Sequence, residues 1–568
     1  MAKKIFIAQS VEELKFILGE ISYPVFCLPM NIQTQVYCMK NNIDFYNPHN
    51  FIEKNFYENA LLESQNLTNK LDFGNLKYDS IKKVYTAIIR YSFHAIIFLE
   101  ELLSKINAKE KIDEIIISGW SNYTDKLSGG KYLVSDIIEN LITDIKISKL
   151  SNNNSENSYS GNEKKYKINY KNLNKKRNYI LLNRLGYNLI RIIFWFPKKK
   201  YYILIPNFDK FLDGDRISYL KKKILRFFKV IFLEFDELPN EKKSEIRIPD
   251  INFFYKKKNL SKILTLRKEQ EIRNIIKLKN MYESVDVLFK ELNIKLVLTN
   301  IAKGIDGYYV EKSKENNIPS VCIPHGSVSE YFDKFDKIYK EIIAEPQFTK
   351  HSKFFAMQSK ITRDYIRSYN INHNCIETGN LIFGDGQNNR KNKNKILFAT
   401  TLKDFQNIQY LGVEMYYEFL ENLKLLNSIS KNNDLKFLVK PHPCANSCIE
   451  DFKKIYNNLE FTKNKIDKIL KDVFVTVSFS STVIEDSLYS NVPVILYDRW
   501  NRFKHCKAEQ NYKKKNCAIY YVNDEDALIN CINTIKESDN ISFGDYIFKG
   551  ATKSNMNNLL NKMLKEVL

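Results

Sequence analysis

Residues 437–443 read Phe-Leu-Val-Lys-Pro-His-Pro, and residues 475–486 read Val-Thr-Val-Ser-Phe-Ser-Ser-Thr-Val-Ile-Glu-Asp. The first stretch is a short apolar run ending in a proline-bracketed histidine. Such runs suit buried strands of a parallel sheet, and α/β proteins gather their ligands at the carboxyl ends of those strands. The prolines restrict the backbone on both sides of His442 and so fix the direction of its imidazole. An imidazole there can donate to a phosphate or a ribose, although a turn that merely contains a histidine would read the same way. In the second stretch a strand runs into hydroxyls at Ser480, Ser481 and Thr482, and then into a helix. Hydroxyls beside free backbone N–H groups suit a phosphate. Helix capping by Ser480 or Ser481, with Glu485 or Asp486 favouring the dipole, would use the same residues. About 40 residues separate His442 from Ser480, and the apolar strand Val492–Leu496 follows, which puts both stretches in one βαβ block.

The same alternation extends upstream. A helix over Glu414–Ser430 and a strand at Lys395–Ala399 precede the block, and the Lys/Asn-rich Gln387–Asn394 marks a boundary. Before that boundary come a strand at Ile294–Thr299, a helix at Gly307–Asn316, a strand at Ser320–Ile323 and another at Phe354–Met357. The N-terminus opens as strand Lys4–Ala8, helix Val11–Glu20 and strand Tyr23–Leu28. A long helical pattern over Ser80–Ile106 then leads to the strand Ile112–Ser118. The fold class is α/β. Two Rossmann-like domains are expected, residues 1–386 and 387–568, facing a central cleft.

A third segment sits at a strand end in the first block: Pro324-His325-Gly326-Ser327-Val328-Ser329-Glu330. Gly326 permits a tight turn or the close approach of a ligand, and Ser327 would line the acceptor side. His325 is placed to act as a general base or to bind phosphate, and Glu330 is a second candidate base; a purely structural His325 fits the pattern too. His49, His94, His351, His373 and His505 sit in no comparable pattern and are left out of the site.

His-Gly at a strand end, then Lys-Pro-His-Pro, then Ser-Ser-Thr-x-x-Glu-Asp before Asn491-Val-Pro-Val-Ile-Leu-Tyr497, resembles the GT-B glycosyltransferases of bacterial surface-polysaccharide assembly. By pattern, the nearest are the capsule Kdo and polysialic-acid transferases and the CDP-glycerol glycerophosphotransferases. The resemblance spans roughly residues 290–500. It implies that Lys440, His442, Pro443, Ser480, Ser481 and Thr482 serve the donor nucleotide, His442 and the hydroxyls on its phosphate. Glu485 would bind ribose or position its helix, and His325 would be the base or an acceptor-side contact. The implied substrate is a CMP-, CDP- or UDP-linked sugar, a CMP-activated acidic sugar among them. The acceptor would be a glycan or a lipid-linked glycan of the cell surface. No cofactor and no metal is expected, because in GT-B enzymes protein dipoles and side chains neutralise the leaving phosphate. Asp213-Gly214-Asp215 imitates a metal-binding motif but reads as a turn opening a basic helix. The alternatives are a UDP-sugar 2-epimerase of the same fold and a non-catalytic scaffold of polysaccharide assembly.

Composition narrows the partners. The 568 residues carry 88 Lys and Arg against 66 Asp and Glu, a formal charge of +22, which tolerates anionic ligands. Residues 151–200 hold twelve Lys and Arg against Glu156 and Glu163, nearly half of that surplus. Within them, 151–180 reads as a basic low-complexity insertion, and 187–202 (YNLIRIIFWFPKKKYY) as a segment able to dock on an anionic membrane. With no binding motif, nucleic acid is not an expected partner. Nine scattered cysteines without a CxxC pair suggest neither a disulfide framework nor a zinc site. An early acidic N-terminus and the lack of 18 consecutive apolar residues point to the cytoplasm, with peripheral contact to the inner face of the plasma membrane.

Overall fold

The computed structural model describes residues 3–21, 25–70, 79–118, 138–139, 142, 144–150, 202–205, 229–232, 254–255, 258–259, 289, 294–301, 304–324, 326–344, 347–348, 351–368, 374–380, 393–402, 412, 414–433, 435–548 and 552–567. The described strands form three wholly parallel sheets and one small antiparallel hairpin. The first sheet contains β1 (Lys3–Ala8), β2 (Phe26–Pro29), β3 (Ile112–Ser118) and β4 (Lys146–Leu150) in the order β2-β1-β3-β4. Its helices are α1 (Val11–Glu20), α2 (Ile32–Lys40), α3 (Lys54–Thr68) and the 32-residue α4 (Asp79–Glu110). The first two begin where the sequence supplies a cap: Ser10 Oγ accepts from the Glu13 N–H at 3.1 Å, and Asn31 Oδ1 from the Thr34 N–H at 2.9 Å.

The next strands are β5 (Tyr202–Ile205), β6 (Lys229–Phe232), the hairpin pair β7 (Phe254–Tyr255) and β8 (Lys258–Asn259), and then β9 (Ile294–Thr299), β10 (Ser320–Cys322), β11 (Phe354–Met357) and β12 (Asn374–Glu377). Six of them make the second sheet, ordered β12-β11-β10-β9-β5-β6, served by α5 (Gly304–Glu315), α6 (Lys334–Ala344) and α7 (Lys360–Ser368). The third sheet follows with β13 (Lys395–Ala399), α8 (Tyr416–Asn433), β14 (Lys436–Lys440), α9 (Ile449–Ile455), β15 (Glu460–Phe461), α10 (Ile466–Ile469), β16 (Val473–Ser478), α11 (Val483–Tyr489), β17 (Val494–Tyr497), β18 (Ile519–Val522) and α12 (Glu525–Lys536), after which α13 (Thr552–Val567) packs back against β9 of the second sheet. Its order, β15-β14-β13-β16-β17-β18, counts 3-2-1-4-5-6 along the chain, the order of the dinucleotide-binding Rossmann sheet. All six residues of the central β16 are buried, as its run of Val and Phe requires of a strand covered on both faces.

Where one N-terminal Rossmann-like unit is expected over 1–386, the described strands of that stretch fall into two sheets. Buried parallel strands all read as apolar runs, so hydrophobic pattern locates them without assigning them to a sheet. The 151–180 insertion, the membrane-facing reading of 187–201 and Asp213–Asp215 lie outside the described residues. Among the described residues, no helix is long and apolar enough to cross a membrane.

A buried ion pair within the third unit meets the first unit through Tyr57. Arg502, 3% exposed, meets the Glu418 carboxylate of α8 at 2.6 and 2.9 Å. Its guanidinium lies over the rings of Tyr57 from α3 (4.1 Å), Phe479 (4.8 Å) and Trp500 (5.2 Å). The Tyr57 hydroxyl donates to Glu418 at 3.1 Å and shares a 2.7 Å hydrogen bond with the Tyr417 hydroxyl. Nearby, the Tyr416 hydroxyl donates to the Pro29 carbonyl at 2.5 Å. Leaving either charge buried alone costs about 3–5 kcal/mol, whereas replacing both by apolar groups is often neutral. Arg502→Met is therefore expected to lower stability by about that amount in urea unfolding. The Arg502→Met, Glu418→Leu double variant should lie closer to the parent protein than Arg502→Met does.

Candidate active site

In the third sheet the chain order reverses between β13 and β16, which are neighbours though first and fourth in sequence. Their outgoing connections leave in opposite directions and open a crevice at the carboxyl edge, where Rossmann-type sheets bind ligands. β13 delivers Thr400 and Thr401 to that edge, and β16 delivers Ser480, Ser481 and Thr482. β14 delivers His442, whose carbonyl accepts from the Ala445 N–H at 2.9 Å as the chain enters a 3-10 turn at Pro443–Cys448. Opposite stand Ser327–Ser329, which follow β10 of the second sheet, and Tyr339, Lys340 and Ile343 of α6. With Gly412, Phe503 and His505 these residues line one cleft of about 290 Å³, near the lower end of small-molecule sites.

The hydroxyls divide their roles. Ser481 Oγ accepts from the Val483 N–H at 3.3 Å and so begins α11. Ser480 Oγ donates to the Gly412 carbonyl at 2.5 Å and lies 3.2 Å from the Thr401 hydroxyl. The Thr400 hydroxyl donates to Glu414, a buried carboxyl that also accepts from Asn422 Nδ2 at 3.0 Å. Burial pushes the Glu414 pKa up to about 7.

Side chains brace the two walls. A Cβ on Gly326 would stand 3.1 Å from the Thr482 methyl, so the glycine lets the 326 turn press against the hydroxyl turn. Asn380 Nδ2 donates to Asp486 at 3.1 Å, and the Tyr489 hydroxyl donates to the Gln358 carbonyl at 2.6 Å. Lys340 Nζ pairs with Asp336 at 2.7 Å and donates to the carbonyls of Glu330 (2.6 Å) and Lys504 (3.3 Å). An ammonium has three donors, so Lys340 is a staple across the cleft, with no donor left over for a ligand. Burial lowers its pKa.

Of the residues singled out in the sequence, Ser327, His442, Ser480, Ser481 and Thr482 meet on the cleft wall. Gly326 touches it through Thr482. Glu485 is buried one turn into α11, with Oε1 3.8 Å from His505 Nε2. Lys440 ends β14 half-buried, its pKa lowered by burial, and is not among the wall residues; nor is Glu330. Pro443 opens the 3-10 turn. His325 lies outside the described residues. His505, which sits in no motif of the sequence, is on the cleft wall. Its loop carries no strand-end pattern, so only the fold brings it there. Thr400, Thr401, Lys340 and Phe503 were missed as well; of these, Thr400-Thr401 directly after an apolar strand repeats the signal that marked Ser480–Thr482. His49 stacks on Trp500, and His351 faces Asp79 at 3.2 Å, both away from the cleft. Among the described residues, no group of three or more His, Cys, Asp or Glu could hold a metal ion.

Two Rossmann-like units opening on a shared cleft define the GT-B arrangement. No family model and no curated protein matches the chain. Among solved structures it is similar to the UDP-GlcNAc 2-epimerase of Methanocaldococcus jannaschii in complex with UDP-GlcNAc and UDP, at 12% identity over 64% of this chain and 99% of that one, TM-score 0.39. It is also similar to the Neisseria meningitidis UDP-GlcNAc 2-epimerase bound to UDP-GlcNAc, at 11% identity over 64% and 99%, TM-score 0.38. A third likeness is to the wall teichoic acid polymerase TagF, at 12% over 65% and 88%, TM-score 0.33. These scores carry no inference about chemistry, and the fold stands on the strand orders described above.

Glu414 gives a pH signature. Between its ordinary 4.5 and about 7 the folded chain keeps a proton that the unfolded chain has released. Stability from this group therefore falls as pH rises through that window and is level above it. Thermal melts of Glu414→Gln should show a shallower decline than the parent between those two pH values. The contact at Gly326 gives a second test: Gly326→Ala should weaken nucleotide binding by calorimetry, and adding Thr482→Ser, which removes the opposing methyl, should restore part of it.

Proposed function

We propose that this chain is a nucleotide-sugar-dependent glycosyltransferase that moves a sugar from a CMP-, CDP- or UDP-linked donor to a cell-surface glycan or lipid-linked acceptor. One observation carries the reading: three segments far apart in sequence, around His442, Ser480–Thr482 and Ser327, line a single cleft at a sheet's switch point. The donor phosphate would lie against the Ser480–Thr482 turn and His442, where the Thr482 hydroxyl and the His442 ring can donate to its oxygens and Ser480 joins by turning its O–H from the Gly412 carbonyl. Charge grows on that phosphate as its bond to the sugar breaks, so donors already in place favour the transition state over the ground state. The acceptor would enter along Ser327–Ser329. Glu485 is proposed to sit near the ribose, and His325, next to Gly326 in sequence, to contact the acceptor side. The basic 187–202 segment is proposed to hold the protein at the anionic inner face of the plasma membrane.

A thermal-shift panel of CMP, CDP, UDP and GDP tests the reading, with stabilisation by one base expected and no response to any of them contradicting it. Removing one positioned donor typically costs 10²–10³ in rate, so His442→Ala is expected to lose at least about that much transfer and to weaken nucleotide binding. Undiminished transfer would remove His442 from the site. Incubating a UDP-sugar without acceptor separates transfer from epimerisation, since only an epimerase would invert the sugar under those conditions.

A further inference from the structure

Resting on the transferase reading, we propose that His505 is the general base of this cleft and that Glu485 is its positioning residue. His505 ends a loop that is held on both sides. Asp498 accepts from the N–H groups of Arg502 (2.7 Å) and Phe503 (2.8 Å), and the Lys340 ammonium donates to the carbonyl of Lys504. The imidazole stands edge-on to Phe503, with ring centroids 6.5 Å apart, and its side chain is 13% exposed on the wall shared with His442 and Ser480–Thr482. Nε2 is buried and faces Glu485 Oε1 at 3.8 Å, and Nδ1 is the nitrogen proposed to meet a ligand. An imidazole on a cleft wall with a buried acidic side chain facing one of its nitrogens can be held in one orientation and accept a proton at the other. A separation of 3.8 Å is within the looseness catalytic pairs show before substrate binds.

The other titratable groups facing this end of the cleft support the assignment. Lys340 and Asp336 of α6 are paired with each other at 2.7 Å, and burial pushes the Cys506 thiol up, so it stays neutral. Glu485 of α11 is then the acidic side chain that faces the ring. In the reaction, His505 Nδ1 takes the proton of the acceptor hydroxyl while that oxygen bonds to the anomeric carbon. The bond from that carbon to the phosphate oxygen breaks, and its electron pair leaves with the phosphate. The imidazolium gives its proton to solvent after product departs.

The test uses the full chain, with release of free nucleotide from CMP-N-acetylneuraminic acid, CDP-glucose and UDP-N-acetylglucosamine as the readout and donor affinity measured by calorimetry. His505→Gln is expected to lower kcat by about 10²–10⁴, to leave the donor Kd within about threefold, and to remove the acidic limb of the kcat–pH profile. Glu485→Gln should lower kcat while leaving the donor Kd within about threefold, since the ring loses the group that orients it. A His505→Gln variant with kcat within about threefold of the parent, or one whose loss lies in donor Kd with the acidic limb intact, overturns the assignment. If the parent protein binds none of the three donors, the transferase reading fails first, and this role fails with it. A parent that binds donor beside an unaffected His505→Gln refutes the role of His505 alone.

Discussion

The guanidinium of Arg502 is the constraint on which the rest depends. It is buried against Glu418 and three aromatic rings, one of which, Tyr57, belongs to the first unit. A charge so deeply desolvated persists only where its partner and packing are both complete. Meeting that condition docks α3 onto α8 and fixes the loop from Asp498 to Cys506. That loop carries Phe503 and His505 to the cleft, and Lys340 ties it back to α6 through Lys504. The first sheet lies outside the cleft, yet through Tyr57 it helps to set the shape of the third unit's wall.

Much of the α/β alternation was legible in the sequence. Phe354–Met357 and Lys395–Ala399 form strands with the expected bounds, and α1 spans the expected Val11–Glu20. Helices α2, α3, α6 and α12 and the strands β4, β12 and β18 were not anticipated. β4 shows why: its Lys-Ile-Ser-Lys-Leu is half polar and sits at a sheet edge, with no fully buried face to mark it. Which strands share a sheet was not legible either, since that depends on pairings between distant runs that look alike one at a time. Within the site, the strand-end turns at His442 and Ser480–Thr482 could be read because their motifs are local. His505 could not, because its place comes from tertiary packing around Arg502 and Lys340.

The cleft combines two kinds of support. One wall comes from the switch point of the third sheet, where backbone direction alone brings Thr400, Thr401 and Ser480–Thr482 together. The other is pressed into place by Gly326 against Thr482 and stapled by Lys340. Hydroxyls and imidazoles make a polar surface suited to an anionic group whose charge rises during reaction, while Lys340 only holds the walls together.

Diffraction from crystals soaked in the nucleoside diphosphate that the protein binds most tightly tests the central claim most directly. The account predicts phosphate density within hydrogen-bonding distance of the Ser480 or Thr482 hydroxyl and of the His442 ring, with His505 at the open side of the same cleft. Phosphate density at the carboxyl edge of the first sheet instead, with the cleft between the second and third sheets empty, would contradict it.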